Sequence, residues 1–195
     1  MVRHVRPALV LLAAFSVLTG LIYPLALTGI AQIILPHQAR GSVVVAQGRA
    51  VGSAQIGQDF TQARYVHPRP SATAGAPYNA AASGGSNLGP TSKALRDAVA
   101  ARVAALKADN PDAVREGLPI PADLVTASAS GLDPDLSPQA ALFQVPRVAR
   151  ARNLPEGQVR VLVNRMTAQP LLGWLGEPRV NVLELNLALD RLQQR

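Results

Sequence analysis

The chain contains no cysteine, which excludes disulfides, thiolate zinc centres and cysteine nucleophiles together. Histidine is scarce: His4, His37 and His67 are the only three. Aromatic residues make up 4% of the sequence and do not alternate with arginine, so the base-stacking platform of a nucleic-acid binder is missing. No block of like charges stands out, and nucleic acid is not an expected partner. Lysine is reduced to two residues against seventeen arginines, a bias that reflects coding composition rather than a task. No repeat of fixed period is present.

The longest absence is of charge. From Ala8 to Leu35 there is no Asp, Glu, Lys, Arg or His. As an α-helix this run would reach about 42 Å, more than the roughly 30 Å of a bilayer core. A helix satisfies its own backbone polar groups in lipid, so residues 8–35 are predicted to form one transmembrane helix. A cleaved signal peptide is the competing reading, with small residues at Gly29-Ile30-Ala31. Signal h-regions usually cover about 7–15 apolar residues, whereas this one continues through Ile33, Ile34 and Leu35, so a retained anchor is favoured.

Arg3, His4, Arg6 and the terminal amine lie close before the span; Arg40 and Arg49 follow at greater distance. Basic residues near a span tend to stay inside. Residues 1–7 are therefore expected to be a cytoplasmic tail, and 36–195 an extracytoplasmic, periplasmic domain on a single-pass anchor. Residues 41–195 carry sixteen basic against twelve acidic groups, a mild excess. They are enough for one domain with its own core.

Inside the span, Ser16 and Gly20 place two small residues one turn apart, the pattern that lets another membrane helix approach. Pro24 removes the helical hydrogen bond to the Gly20 carbonyl, which predicts a bend. Beyond the span, Ser42–Gln47 has strand composition, with Gly48 and Gly52 bracketing a turn before a second strand near Ser53–Ile56. Arg64 to Pro90, dense in Pro, Gly, Ser, Ala and Asn, predicts loop. Ser92 can cap a helix to about Ala108 with Leu95, Val99, Val103 and Leu106 on one stripe, stopped by Asn110-Pro111. Gly117–Pro138 is loop-rich, with a short extended piece at Leu124–Ala127. Ser137-Pro138 opens a helix that Pro146 restarts or kinks. Leu154-Pro155-Glu156 opens another, with Val159, Leu162, Val163 and Met166 inward. Val180–Leu192 fits two patterns. Leucine alternation suits a strand, whereas Asn181 with Glu184 resembles a capping box and Val182, Leu185, Leu189 and Leu192 share one helical face. Helix is preferred. The fold class is α+β: one transmembrane helix and one loop-rich domain.

Chemistry is sparse. His67, between Arg64 and Arg69, is the one histidine placed to act as a base, because nearby cations favour its neutral form. A hydrolase would pair it with Ser71 or Ser83, yet no Gly-x-Ser-x-Gly elbow or Ser-x-x-Lys triplet accompanies it. Asp133-Pro134-Asp135 supplies too few oxygens for a calcium loop and suits a turn. Ser83-Gly84-Gly85-Ser86-Asn87 leads towards a helix start and is a weak candidate for cradling an anion through backbone N–H groups. It lacks the Gly-Lys-Ser/Thr ending of a P-loop. No catalytic and no metal-binding residues are assigned. The residues favour an accessory subunit, and the alternatives are an anchored extracytoplasmic hydrolase or an anion-binding domain.

Several runs in order carry a resemblance: Gly20–Leu25, Gly52–Gln58, Arg69–Ala72, Tyr78-Asn79, Ala82–Leu88, Leu124–Asp133, Ser137–Ala141, Arg147–Ala149 and Val180–Asp190. Together they resemble the C subunits of bacterial Kdp potassium-transporting ATPases over nearly the whole chain. Tyr65-Val66 stands where that family often has Tyr-Phe. The resemblance implies a place in a high-affinity, ATP-driven potassium pump of the cell inner membrane. Its companions would be a channel-like A subunit, a P-type ATPase B subunit that is phosphorylated, and a small F subunit of one helix. The C subunit would itself escape phosphorylation and act as a catalytic chaperone raising the B subunit's affinity for ATP. ATP and K+ would be used by the complex, neither being held firmly by this chain. With the domain outside and ATP inside, any such effect must be transmitted through the complex, which linkage permits.

Overall fold

The computed structural model describes residues 2–193 and divides into two compact units, Met1–Val51 and Gly52–Arg195. In the first unit, α1 (Val5–Val17) and α2 (Tyr23–Ile34) are joined by one π-helical stretch, Leu18–Ile22, into a continuous helix Val5–Ile34. That helix is long and apolar enough to cross a membrane, and none of its apolar window is buried within the molecule. The wide turn sits just ahead of Pro24, whose ring would collide with the Gly20 carbonyl in a regular helix. The Tyr23 N–H instead reaches back to the Leu18 carbonyl. Thr19 returns its hydroxyl to the Phe15 carbonyl at 2.6 Å, so this polar group is satisfied within the helix. Leu35 leaves helical geometry ahead of Pro36, as the residue before a proline tends to do.

A short helix α3 (Pro36–Ala39) precedes β1 (Val43–Ala46) and β2 (Arg49–Ser53), which pair as a two-stranded sheet. Gln47 and Gly48 both take positive φ, 51° and 74°, which a two-residue turn matching strand twist requires. The turn is therefore Gln47-Gly48, and Gly52 lies inside β2. The second strand precedes the predicted Ser53–Ile56, where only an isolated Ser53–Ile56 bridge remains.

In the second unit the chain runs without regular elements from the end of β2 to Ser92, apart from a 3-10 turn at Ala80–Ala82. Helix α4 (Lys93–Asp109) begins where expected, with the Ser92 hydroxyl accepting the Leu95 N–H. Its predicted stripe is only half-buried, so α4 lies at the edge of the core. Asn110 ends it, and α5 (Pro111–Arg115) follows. The extended piece expected at Leu124–Ala127 is instead a 3-10 turn, Ala122–Leu124, continued by Val125 and Thr126 N–H bonds to the Ala122 carbonyl. After β3 (Asp135–Leu136), Ser137 caps α6 (Pro138–Phe143), and Pro146 sits in the first turn of α7 (Val145–Arg152). Asn153 adopts the left-handed conformation that closes α7.

Helix α8 (Glu156–Met166) buries Val159 and Val163, then β4 (Thr167–Ala168), β5 (Arg179–Asn181) and α9 (Val182–Gln193) follow. The small sheet is antiparallel in the order β3-β5-β4, pairing Leu136 and Thr167 on either side of Val180. Of the two patterns seen in 180–192 the helix is the one formed, from Val182 on, with the Asn181 side chain accepting the Glu184 N–H at 3.1 Å; the alternating leucines lie within it, and the strand is confined to Arg179–Asn181. The core gathers Phe143, Val145, Val148, Val159, Val163, Val180, Leu185 and Leu189, all within 2% of full burial. Truncating Leu185 or Leu189 would cost about 2–5 kcal/mol at such burial.

Candidate functional site

One irregular segment of the second unit, residues 63–67, lies against the core with Val66 fully buried. Its backbone groups need partners that no adjacent strand provides. Side chains supply them. Asn186 of α9 accepts the Val66 N–H at 2.8 Å and donates to the Val66 carbonyl at 3.0 Å. Gln144 does the same for His67, at 2.8 and 3.0 Å. Each amide thus reproduces the paired donor and acceptor of a neighbouring strand. Arg152 of α7 donates from Nε to the Arg64 carbonyl at 2.6 Å and from Nη2 to Asp190 at 2.9 Å. Its guanidinium also lies 5.1 Å from the centre of the Tyr65 ring.

Arg147, only 4% exposed, is the hub. It donates to the carbonyls of Ala63 (2.6 Å) and Tyr65 (3.0 Å), to Asn110 Oδ1 (3.0 Å) and to Gln144 Oε1 (2.7 Å). Among the described residues no carboxylate is ion-paired with it; neutral oxygens take its N–H groups, and the charge of Asp109 favours its protonated form from farther away. Burial pushes its pKa down to about 10, which still leaves it protonated at neutral pH.

His67 touches this hub: its Nε2 lies 3.3 Å from Arg147 Nη1 and 3.1 Å from the Gln62 carbonyl. Burial and the Arg147 charge lower its pKa below the ordinary 6.5. The unfolded chain therefore takes up a proton below that pH while the folded chain refuses it, so stability falls as pH drops through 6.5. Thermal melting between about pH 7.5 and 5.5 should show this decline, and His67→Asn, which cannot titrate there, should flatten it.

The two serines considered beside His67 are occupied elsewhere. Ser71 and His67 border one cleft of about 440 Å³. The Ser71 hydroxyl nevertheless donates to the Gly131 carbonyl at 2.8 Å and accepts the Tyr78 N–H at 2.9 Å. Ser83 donates to the Ser130 carbonyl at 3.1 Å. The serine–histidine pair that hydrolysis requires is not formed.

What Ser71 and Ser83 build is a clip between loops. Gly84 N–H bonds the Ser130 carbonyl at 2.8 Å, and Gly57 N–H bonds that of Leu132 at 2.8 Å. Tyr78 donates its hydroxyl to the Arg69 carbonyl, and Arg69 pairs with Asp133 at 2.7 Å. A Cβ on Gly85 would stand 2.9 Å from the Ala129 carbonyl oxygen, so backbones meet here directly. Ser83–Asn87 does not open a helix, since α4 starts at Lys93, and the Gly84 N–H is turned to the Ser130 carbonyl. Asp133 and Asp135 act as turn and anchor: Asp133 accepts the Asp135 N–H, while Asp135 meets Arg179 and Asn181. In the apolar helix, Ser16 and Gly20 lie on an unburied surface, and a Cβ on Gly20 would meet nothing within 4 Å.

Three polar residues central to this arrangement, Gln144, Arg147 and Asn186, went unnoticed in the sequence. Gln144 three residues before Arg147 and Arg150 three residues after it leave no apolar stripe that would mark Arg147 as facing inward. A further omission is Trp174, the single tryptophan, in a charge-free run from Met166 to Gly176.

One apolar helix precedes a domain whose polar groups are spent on holding its own loops, the make-up of a membrane-helix subunit. Residues 5–191 match the family model described as KdpC, K+-transporting ATPase, c chain. Curated relatives described as potassium-transporting ATPase KdpC subunits are similar throughout: one from Rhodopseudomonas palustris is 58% identical over 206 residues, covering all of both chains. One from Bradyrhizobium diazoefficiens is 58% identical over 98% of each chain, and one from Methylobacterium nodulans matches equally. The chain belongs to the KdpC family.

Proposed function

We propose that this chain is the non-phosphorylated accessory subunit of an ATP-driven potassium uptake pump in the bacterial inner membrane. End-to-end similarity at 58% identity is the observation that carries this reading. The helix Val5–Ile34 anchors the chain and packs through Ser16 and Gly20 against a channel-like subunit, with Pro24 setting its course. Arg3 and Arg6 hold the tail in the cytoplasm, and the domain stands on the periplasmic side. The ATPase subunit and a small single-helix subunit complete the assembly. The clipped domain stabilises the complex. It supports ATP use by favouring one conformation of the pump, which raises nucleotide affinity at a distance without touching ATP.

Two measurements test this. Purification of the tagged chain from detergent-solubilised membranes should bring the other pump subunits with it, and a pump whose C subunit ends after the helix should lose assembly or potassium-stimulated ATP hydrolysis. Normal uptake by that truncated pump would refute the role. Protease added to intact spheroplasts should digest the domain; protection there, with digestion in inverted vesicles, would reverse the topology.

A further inference from the structure

His4 and His37 are exposed, whereas His67 is half-buried in a place that suits only its neutral form. Its Nε2 lies 3.1 Å from the Gln62 carbonyl and 3.3 Å from Arg147 Nη1. A carbonyl can only accept, so this contact assigns the ring proton to Nε2. Arg147 Nη1 has no hydrogen left for the ring, because its two go to the carbonyls of Ala63 and Tyr65. The two nitrogens therefore touch without bonding, which a neutral ring tolerates. A second proton on that ring would set a full charge against a buried guanidinium.

Groups of both signs face the ring. Asp109 at the end of α4 and Asp59 in the loop before the segment favour protonation, but both are exposed and neither is hydrogen-bonded to the ring. Arg69, Tyr78 and, from α4, Arg102 border the same cleft of about 440 Å³, through which water reaches His67. Farther along, Asp190 of α9 is already taken by Arg152 and Arg64. Burial and the Arg147 charge outweigh the two acids and keep the pKa below 6.5. The same side chains fasten the backbone. Gln144 holds the N–H and carbonyl of His67, and its Oε1 also takes Arg147 Nη2 at 2.7 Å. Repulsion at His67 thus acts on the groups that hold residues 63, 65 and 67.

We propose that residues 63–67 form a proton-released strap: a proton reaching His67 through the cleft frees the segment from Gln144 and Arg147, and acid loosens this face of the domain while the helical core stays folded. Such a device needs a titrating group and an element with two states, and the strap, held by side chains rather than by strands, is that element. The strap does not depend on the accessory-subunit reading. With that reading, the acidity it senses is that outside the membrane.

The test is hydrogen exchange of the full chain in detergent, corrected for the intrinsic pH dependence of exchange. The Val66 and His67 amides, held by Asn186 and Gln144, follow the strap; those of Val163 and Leu189, buried in α8 and α9, follow the core. A released His67 titrates near the ordinary 6.5 and the held one lower, so opening should grow up to about tenfold between about pH 7.5 and 5.5. The strap amides should lose protection by that factor and exchange faster than the core amides throughout. His67→Asn and His67→Gln, with no titrating group there, should keep strap protection constant within about twofold over the range. His37→Gln should behave as wild type. Strap protection that ignores pH in the wild type, or falls equally in the His67 variants, overturns the proposal. Exchange of the strap amides at the core rate also overturns it, because opening would then be global. None of these outcomes bears on the accessory reading, which fails separately if no pump subunits are recovered with the chain.

Discussion

Replacing Arg147 with alanine is expected to destabilise the Gly52–Arg195 unit by about 4 kcal/mol, and nearby surface arginines should show no comparable loss. The size follows from what is abandoned. Two backbone carbonyls and the side-chain oxygens of Asn110 and Gln144 lose a charged donor at a site only 4% exposed. Each buried acceptor left without its donor costs on the order of 1 kcal/mol or more, although Gln144 Oε1 keeps the His67 N–H and the Ala63 carbonyl lies near the surface. Lysine should restore no more than about half, because a single ammonium cannot span the fork of acceptors that a guanidinium reaches. For a domain of this size the alanine variant should melt roughly 10 °C lower by circular dichroism of the full chain in detergent. Arg160→Ala, on the exposed side of α8, should stay within about 0.5 kcal/mol of wild type. An Arg147→Ala loss below about 1 kcal/mol would mean the clamp on residues 63–67 does not hold the domain.

The longer helices were legible in the sequence because their starts are set locally: Ser92, Ser137 and Asn181 each accept the backbone N–H three residues on, and Pro138 stands where a helix can begin. The short helices Pro36–Ala39 and Pro111–Arg115 were not anticipated, since Pro111 reads only as a stop in the sequence. The apolar helix was legible from composition alone. What escaped were features that depend on residues far apart. Leu124–Ala127 looks extended, yet its backbone folds onto the Ala122 carbonyl, and the neighbouring Asp123 carboxylate is taken by the Ser137 N–H at 2.8 Å. The β2 strand starts at Arg49 because Gln47 adopts positive φ alongside Gly48, leaving Gly52 to make a close approach within the strand. Arginine is ordinarily a surface residue, so nothing local announced that Arg147 and Arg152 would be buried against carbonyls 82 to 88 positions earlier in the chain.

The candidate site divided the same way. Ser71, Ser83 and the Gly84-Gly85 pair were singled out by residue type, as candidates for a nucleophile or an anion cradle. Their partners decide otherwise. A hydroxyl already given to a carbonyl at 2.8 Å, and a glycine pressed against Ala129, are the means by which loops without strands or disulfides are kept together. The family resemblance had marked these same runs, and the fold brings Gly52–Gln58, Arg69–Ala72, Tyr78, Ala82–Leu88 and Leu124–Asp133 into one cluster.

That cluster sets the second large effect. Gly131→Ala is expected to cost about 3 kcal/mol, from two sources. Gly131 has φ of 67°, a left-handed conformation that costs a residue with a Cβ about 1 kcal/mol. The added methyl would also stand 2.7 Å from the Gly84 carbonyl oxygen and 2.7 Å from Thr73 Cγ2, and overpacking of this kind typically costs about 1–3 kcal/mol. The Gly84 oxygen is backbone and cannot rotate aside, so the strain must be relieved by parting the Ser83–Gly85 and Ser128–Leu132 loops. Parting them strains the Gly84–Ser130 and Ser71–Gly131 bonds, and the effect should therefore be local as well as global. Limited proteolysis at about 25 °C should cut the variant within these loops before the helices unfold, since locally opened segments are cleaved first. Gly89→Ala is the matched comparison: it has nothing within 4 Å of the added Cβ and no positive φ, so it should melt with the wild type or slightly above it. Equal behaviour of the two alanine variants would show that the loops are not held by this contact, and that the helical core alone keeps them in place.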